Sequence, residues 1–296
     1  MKIDSKLPDV GVSIFARMTQ LANEQGAINL SQGFPDFETP PALVELVAQK
    51  MRAGYNQYAP LAGVERLREQ IALKVKQQYG AVYDAATEIT VTPGATEAIF
   101  CAVAAVVRPG DEVIIIEPAY DAYAPDVRLA GGRPVFVPMP PPDYRIDWQR
   151  VKEALSARTR LLMINSPHNP MSTMLDADDM AALAEIVSGS ETLILSDEVY
   201  EHIIFDGRRH QSMARYPQLA ARSFVISSFG KSFHTTGWKI GYCLAPPALT
   251  SELRRVHQFV TFCANTAVQE AYADFMADPV SYTHLTLPTT IELWVC

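Results

Sequence analysis

From residue 41 onward the chain alternates between two hydrophobic periods, and this restricts its fold more than any other feature. Segments with apolar residues at helical spacing, PALVELVAQKMRAG, VERLREQIALKVKQQYG and ATEAIFCAVAAVV, are interleaved with short runs rich in β-branched residues. Those runs are EITVT, DEVIIIEP, GRPVFVPMP, TRLLMINSP, ETLILSDEVY, RSFVISSF and WKIGYCLA. Such alternation is the mark of βαβ units, and it predicts an α/β fold built on a mostly parallel sheet sandwiched by helices. Further helices are expected over 120–130, 147–156, 176–189 and 249–263. The connection from Phe229 to Gly237 is too short for a crossover helix, so the last strand is expected to run antiparallel to its predecessor. The proline cluster VPMPPPDY at 137–144 reads as a surface loop.

Composition narrows the function by exclusion. The 296 residues carry a net charge of −8 with no basic run, which gives no support to nucleic-acid or anionic-membrane partners. No apolar stretch is long enough to span a bilayer and the amino terminus lacks a secretory core, so a cytoplasmic protein is expected. The four cysteines form no CxxC pair and the six histidines no HExxH, so no metal site is signalled. Cys101 and Cys243 are expected as buried core thiols.

In open α/β sheets, ligands bind beyond the carboxyl ends of the strands. Five strand ends carry chemistry here. Pro93-Gly94-Ala95-Thr96 follows the first run and opens a helix, offering free N–H groups and a positive dipole end to an anion. Tyr120 follows the second run, Asn169 the fourth, Asp197 and Tyr200 the fifth, and Lys231 the sixth. Each has a plainer reading: a glycine turn, a core tyrosine, an Asn-Pro turn, a helix cap, a surface lysine. Those plain readings do not predict five such residues at five successive ends.

Gly230-Lys231-Ser232 resembles the end of a nucleotide-binding loop, but that motif needs a glycine five positions before Gly230, where Val225 stands inside a strand. The competing reading is a lysine that carries a cofactor as a Schiff base. That chemistry needs an anchor for a phosphate, an acid for a pyridine nitrogen, a partner for a phenolic oxygen and an aromatic face over the ring. The strand ends supply all four.

The blocks NLSQGFPDFETP, YNQYAPLAGVERLREQIA, TVTPGATEAIF, EPAYDAYAPDV, NSPHNP, SDEVYEHIIF and SSFGKSFHTTGWKIGY together resemble the fold-type I, class I/II aminotransferases over roughly residues 10–280. Within that family the resemblance is greatest to the methionine and kynurenine (glutamine-type) branch, in which the basic residue eight positions after the Schiff-base lysine is a lysine, here Lys239. The resemblance implies pyridoxal 5′-phosphate as cofactor, with Lys231 as its covalent anchor and proton carrier. Gly94, Ala95, Thr96, Ser228 and Lys239 are implied around the phosphate, Asp197 at the pyridinium nitrogen, Asn169 and Tyr200 at the phenolic oxygen, and Tyr120 on the ring. It further implies Gly33 against the substrate carboxylate, Tyr58 reaching the phosphate of a neighbouring subunit in a homodimer, and Phe15 and Phe262 as side-chain pocket residues. The implied reaction moves an amino group from a neutral apolar or aromatic amino acid to a 2-oxo acid. Cysteine-conjugate β-elimination, or an inactive homologue that keeps the fold, stands as the alternative.

Residues 1–40 are expected to form an amino-terminal arm and part of a small domain, and 41–280 the cofactor-binding large domain. The last segment, 281–296, departs from the family pattern and reads as a tail foreign to the fold or the end of a short homologue. The resemblance calls there for the rest of a small domain of on the order of a hundred residues, carrying the arginine that clamps the substrate carboxylate. Met171-Ser172-Thr173 also replaces the usual threonine-glycine after Asn169-Pro170.

Overall fold

The computed structural model describes residues 4–29 and 38–278. Gly33 and the 281–296 tail lie outside the described residues. The amino-terminal helix α1 (Ile14–Gln25) precedes α2 (Pro41–Arg52) and α3 (Glu65–Tyr79). Strand and helix then alternate through β1 (Ile89–Thr92), α4 (Ala95–Val106), β2 (Glu112–Glu117), α5 (Tyr123–Leu129), β3 (Arg133–Pro138) and α6 (Trp148–Ala154). They continue through β4 (Thr159–Asn165), α7 (Ala177–Ser188), β5 (Leu193–Asp197), α8 (Pro217–Ala220), β6 (Ser223–Ser228), α9 (Phe229–Ser232), β7 (Gly241–Leu244), α10 (Pro247–Val260) and α11 (Thr266–Ala277).

The seven strands form one sheet in the order β1-β7-β6-β5-β4-β2-β3. Strands β2 to β6 pair in parallel, while β7 runs antiparallel between β1 and β6, as the short connection before it requires. Successive residues of a strand face opposite sides of the sheet, and both sides are covered. Ile114, Ile116, Leu162 and Ile194 join one core with α2, α3, α7 and α11, whereas Val113, Ile115, Leu161 and Leu195 join the other with α4, α5 and α10. That double burial is why the strands read as unbroken apolar runs.

Helix signals in the chain act locally as expected. Asp176 and Asp179 close a reciprocal capping box at the start of α7, and Gly80 ends α3 at a φ of 72°. The predicted helix over 249–263 stops at Val260, and α11 begins only at Thr266. Between them Phe262 takes a φ of 69°, which breaks the helix. Helix α1 buries none of its residues, and its apolar side chains Ile14, Met18 and Leu21 are exposed. Cys101 and Cys243 are buried free thiols. Among the described residues no helix is long and apolar enough to cross a membrane.

Candidate active site

The antiparallel insertion of β7 brings two distant turns together. Gly241 opens β7 and pairs with Thr92 at the end of β1 on one side and with Ser228 at the end of β6 on the other. The glycine turn before α4 and the lysine turn after β6 therefore share one edge of the sheet. A Cβ on Gly241 would lie 2.7 Å from the Ala95 backbone nitrogen and 2.9 Å from the Ser227 carbonyl oxygen, so only glycine permits this approach. Gly94 caps α4 with a φ of 82°, and a Cβ there would stand 3.3 Å from the Lys239 Nζ. The amino end of α4, the Ser228 hydroxyl and the Lys239 ammonium thus converge. Ser228 in turn caps α9, its Oγ accepting from the Gly230 N–H at 3.1 Å.

Asp197 ends β5 and is 5% exposed. Its Oδ2 accepts a 2.6 Å hydrogen bond from the Tyr123 hydroxyl, and its Oδ1 accepts from the Val199 N–H at 3.3 Å. Burial pushes the Asp197 carboxyl up to about 6, against the opposing pull of those hydrogen bonds. One strand over, the Asn165 side chain donates to the Asp197 carbonyl oxygen at 2.9 Å and accepts from the Asn169 N–H at 2.7 Å, locking the two strand ends in register.

Asn169 and Tyr200 stand in the same cavity wall, and burial lifts the Tyr200 phenol to about 12, opposed by the neighbouring Asn169 side chain. The Lys231 Nζ lies over the Tyr200 ring at 5.6 Å from its centroid. Burial first and the Lys239 charge second lower the Lys231 pKa from that of a solvated lysine, which enlarges its neutral, nucleophilic fraction. Tyr120 stands edge-on to Tyr123, and burial raises its phenol above the ordinary value.

These groups line one cavity of about 460 Å³, within the range of about 300–1,000 Å³ usual for small-molecule sites. Gly94, Ala95, Thr96, Tyr120, Asn169, Asp197, Tyr200, Ser228, Lys231 and Lys239 are all in its wall, and Phe15 from α1 closes one side. Tyr58 and Phe262 are not. Their rings meet each other edge-to-face at 5.6 Å on the surface, with Tyr58 83% exposed. Sequence reasoning missed Tyr123, Asn165 and Gly241. Tyr123 and Asn165 lie in the segments EPAYDAYAPDV and NSPHNP, but Asp197, which both of them meet, is remote in sequence.

Beneath this floor lies a second polar cluster. Glu201 is buried and accepts hydrogen bonds from Lys74, Tyr79, Ser227 and Tyr242. Burial alone would raise its pKa, but the charges of Lys74 and His202, with the hydrogen bonds from Lys74 and Ser227, hold the carboxyl below the usual carboxylate range.

A chain that brings together a glycine turn, a buried acid and a lysine of lowered pKa also has known relatives. The family description "aminotransferase class I and II" matches residues 25–287. The chain belongs to the class I and II aminotransferases. Members of this family use pyridoxal 5′-phosphate, and the chain is an enzyme of the transaminase type (EC 2.6.1). The chain is 50% identical over 282 residues to the methionine aminotransferase of Escherichia coli, a match covering 95% of this chain and 73% of that protein. Identity is 42% to a probable N-succinyldiaminopimelate aminotransferase of Mycobacterium tuberculosis, over 91% of this chain and 68% of that one. A kynurenine–oxoglutarate transaminase of Dictyostelium discoideum is 34% identical over 91% of this chain and 66% of its own length. An Escherichia coli structure described as having a methionine aminotransferase function superposes with a TM-score of 0.93 at 49% identity, over 97% of this chain and 75% of that one.

Proposed function

We propose that the chain transaminates neutral apolar or aromatic amino acids, with methionine and kynurenine as representative donors, using pyridoxal 5′-phosphate held at the carboxyl ends of β1, β2, β4, β5 and β6. The observation that carries this reading is the shared cavity: Lys231, Asp197, Tyr200, Asn169 and the Gly94–Lys239 cradle face one space.

The residues fit the cofactor on chemical grounds. A phosphate suits the amino end of α4, where Gly94 leaves no Cβ between the backbone and Lys239. A cationic heteroaromatic N–H suits Asp197, whose carboxyl is costly to ionise in its buried setting and gains a counter-charge from such a ring. The Asn169–Tyr200 pair offers donors to a phenolic oxygen, and Tyr120 offers a flat face. When bound, the cofactor supplies the electron sink that makes loss of the substrate α-proton feasible.

The protein's own residues then divide the work. Asp197 keeps the ring nitrogen protonated, and Tyr123 keeps Asp197 oriented and ionised by donating to Oδ2. Lys231 would be the nucleophile that anchors the cofactor and, as the free amine, the base that takes up the substrate α-proton at its Nζ. Its lowered pKa serves both of these roles, since nucleophile and base alike need the neutral amine. Ser228 and Lys239 hold the phosphate so that these atoms stay in register.

The preference for neutral side chains rests on the wall of the cavity. Among the described residues its only cations are Lys231 and Lys239, both committed to the cofactor, and Phe15 faces the space beside them. A side-chain carboxylate would enter without a counter-charge. Borohydride reduction of the cofactor-loaded protein followed by peptide mapping tests the anchor: the label is expected on Lys231, and a label on another lysine sinks the assignment.

A homodimer with composite sites fits the remaining residues. Tyr58 and Phe262 pair on the surface, Phe259 is 86% exposed, and these exposed rings suit a second copy of the chain. Tyr58 then reaches the phosphate of the neighbouring cradle and Phe262 its substrate pocket. Sedimentation equilibrium checks the assembly; a Tyr58→Ala chain that binds cofactor as tightly as the parent argues against the shared site.

A further inference from the structure

Three metal-ligating side chains meet on the flank of α4, away from the cavity wall. Glu97 and Cys101 are one turn apart, so α4 presents both on one face, and His257 from the last turn of α10 packs against them. Cys101 Sγ donates to Glu97 Oε1 at 2.9 Å, His257 Nδ1 lies 2.8 Å from the same oxygen, and the Thr261 hydroxyl donates to it at 3.3 Å. One ligand atom from each of Glu97, Cys101 and His257 falls within 4.8 Å of the others. Cys101 and His257 are both 0% exposed. The second carboxylate oxygen of Glu97 is buried with no hydrogen-bond partner among the described residues. A carboxylate, a thiol and an imidazole set against the aliphatic core of α4 and α10 are costly to desolvate, and a single shared oxygen compensates them poorly.

We propose that Glu97, Cys101 and His257 form a binding site for a borderline-soft divalent cation of the zinc class. The sulfur, nitrogen and oxygen donors suit such an ion, whereas magnesium and calcium select oxygen alone. Thr261, whose hydroxyl reaches the same Glu97 oxygen, is exposed at this end of the cluster. As the ion enters, Cys101 loses its proton to solvent and the thiolate forms the metal–sulfur bond, while the proton that His257 Nδ1 holds against Glu97 moves to Nε2 so that Nδ1 can bind; no electrons are transferred. Burial and the Glu97 charge keep the thiol protonated in the absence of a cation, and a dication next to it reverses that balance. Bonds of about 2.0–2.3 Å around a tetrahedral ion place ligand atoms about 3.5 Å apart. The three donors need only open slightly from hydrogen-bond separation to reach that spacing.

The test uses the cofactor-loaded protein and zinc alone. Calorimetric titration in buffers of different ionisation heat is expected to show one saturable ion per chain with about one proton released. Zinc-edge X-ray absorption is expected to show one sulfur scatterer at about 2.3 Å. Cys101→Ala, a small change in a buried position, should weaken binding by more than about 100-fold, beyond what loss of an outer-shell partner causes. His257→Gln should do the same. No saturable site, a shell of oxygen and nitrogen only, or a sulfur signal that disappears in Cys263→Ser rather than in Cys101→Ala would overturn the proposal.

Discussion

Asp197 and Glu201 are both buried carboxylates at the end of β5, yet they meet opposite partners. Glu201 faces Lys74 and three hydroxyls, and its charge is compensated within the protein. Among the described residues Asp197 accepts hydrogen bonds from neutral donors alone, the Tyr123 hydroxyl and the Val199 N–H, and burial, helped by the Glu198 charge, lifts its carboxyl to about 6. Among the described residues Glu201 has a cationic partner and Asp197 has none. On the proposed function, structural and functional burial of charge differ in whether the chain supplies the counter-charge, not in depth.

That contrast is breakable, and the largest effect should come from the cavity side. Lys231→Ala is expected to lower transamination by at least about 10⁴-fold while leaving the urea midpoint nearly unchanged; activity within tenfold of the parent in a steady-state assay would remove Lys231 from the chemistry. Glu201→Ala should do the reverse. It strands a buried Lys74 and is expected to cost about 3–5 kcal/mol of stability by equilibrium denaturation, and a loss below about 1 kcal/mol would place Glu201 among incidental contacts.

Asp197→Asn sharpens the comparison because it should separate the two properties in one residue. Turnover is expected to fall about 10³-fold, while the cofactor-free protein becomes no less stable at pH 8. The linkage sign follows from the raised carboxyl. Between the ordinary 3.8 and about 6 the folded state holds more protons than the unfolded one, so the Asp197 contribution falls as pH rises through that window. The full cost, about 3 kcal/mol, is present above it. Glu201, whose carboxyl is lowered, contributes stability above the ordinary 4.5 that is lost as pH falls through its depressed value. Over pH 4 to 8 the melting temperature of cofactor-free Asp197→Asn should therefore gain on the parent as pH rises, whereas Glu201→Gln should stay a near-constant amount below the parent and close the gap only in more acid solution. If the Asp197→Asn curve runs parallel to the parent curve, the carboxyl is not perturbed as described. The smallest effect is expected from Tyr123→Phe, which removes one hydrogen bond to Asp197 and should lower turnover by about tenfold, with cofactor affinity as the second readout.

Much of the fold was legible because its signals are local. The seven β-branched runs became the seven strands, and the short link from Phe229 to Gly237 announced the antiparallel β7. The site was legible where strand ends carry unusual residues, as with Asp197, Asn169 and Lys231. Tyr123 was not, because a tyrosine in the first turn of α5 signals nothing until α5 is laid against the end of β5. Gly241 reads as an ordinary strand glycine until β1 closes on its other side.

By itself, then, the order of residues determined which segments are helices and strands, that the sheet is mostly parallel, and which side chains stand at the carboxyl ends of its strands. These follow from periodicity, turn chemistry and connection length, which act over a few residues. Only the tertiary structure decided that β7 lies between β1 and β6, that Gly94 and Lys239 form one cradle, that Tyr123 holds Asp197, and that Tyr58 and Phe262 pair outside the cavity. Those outcomes depend on contacts between residues tens to hundreds of positions apart and on the dielectric each charge meets, which exist only once the layers have packed.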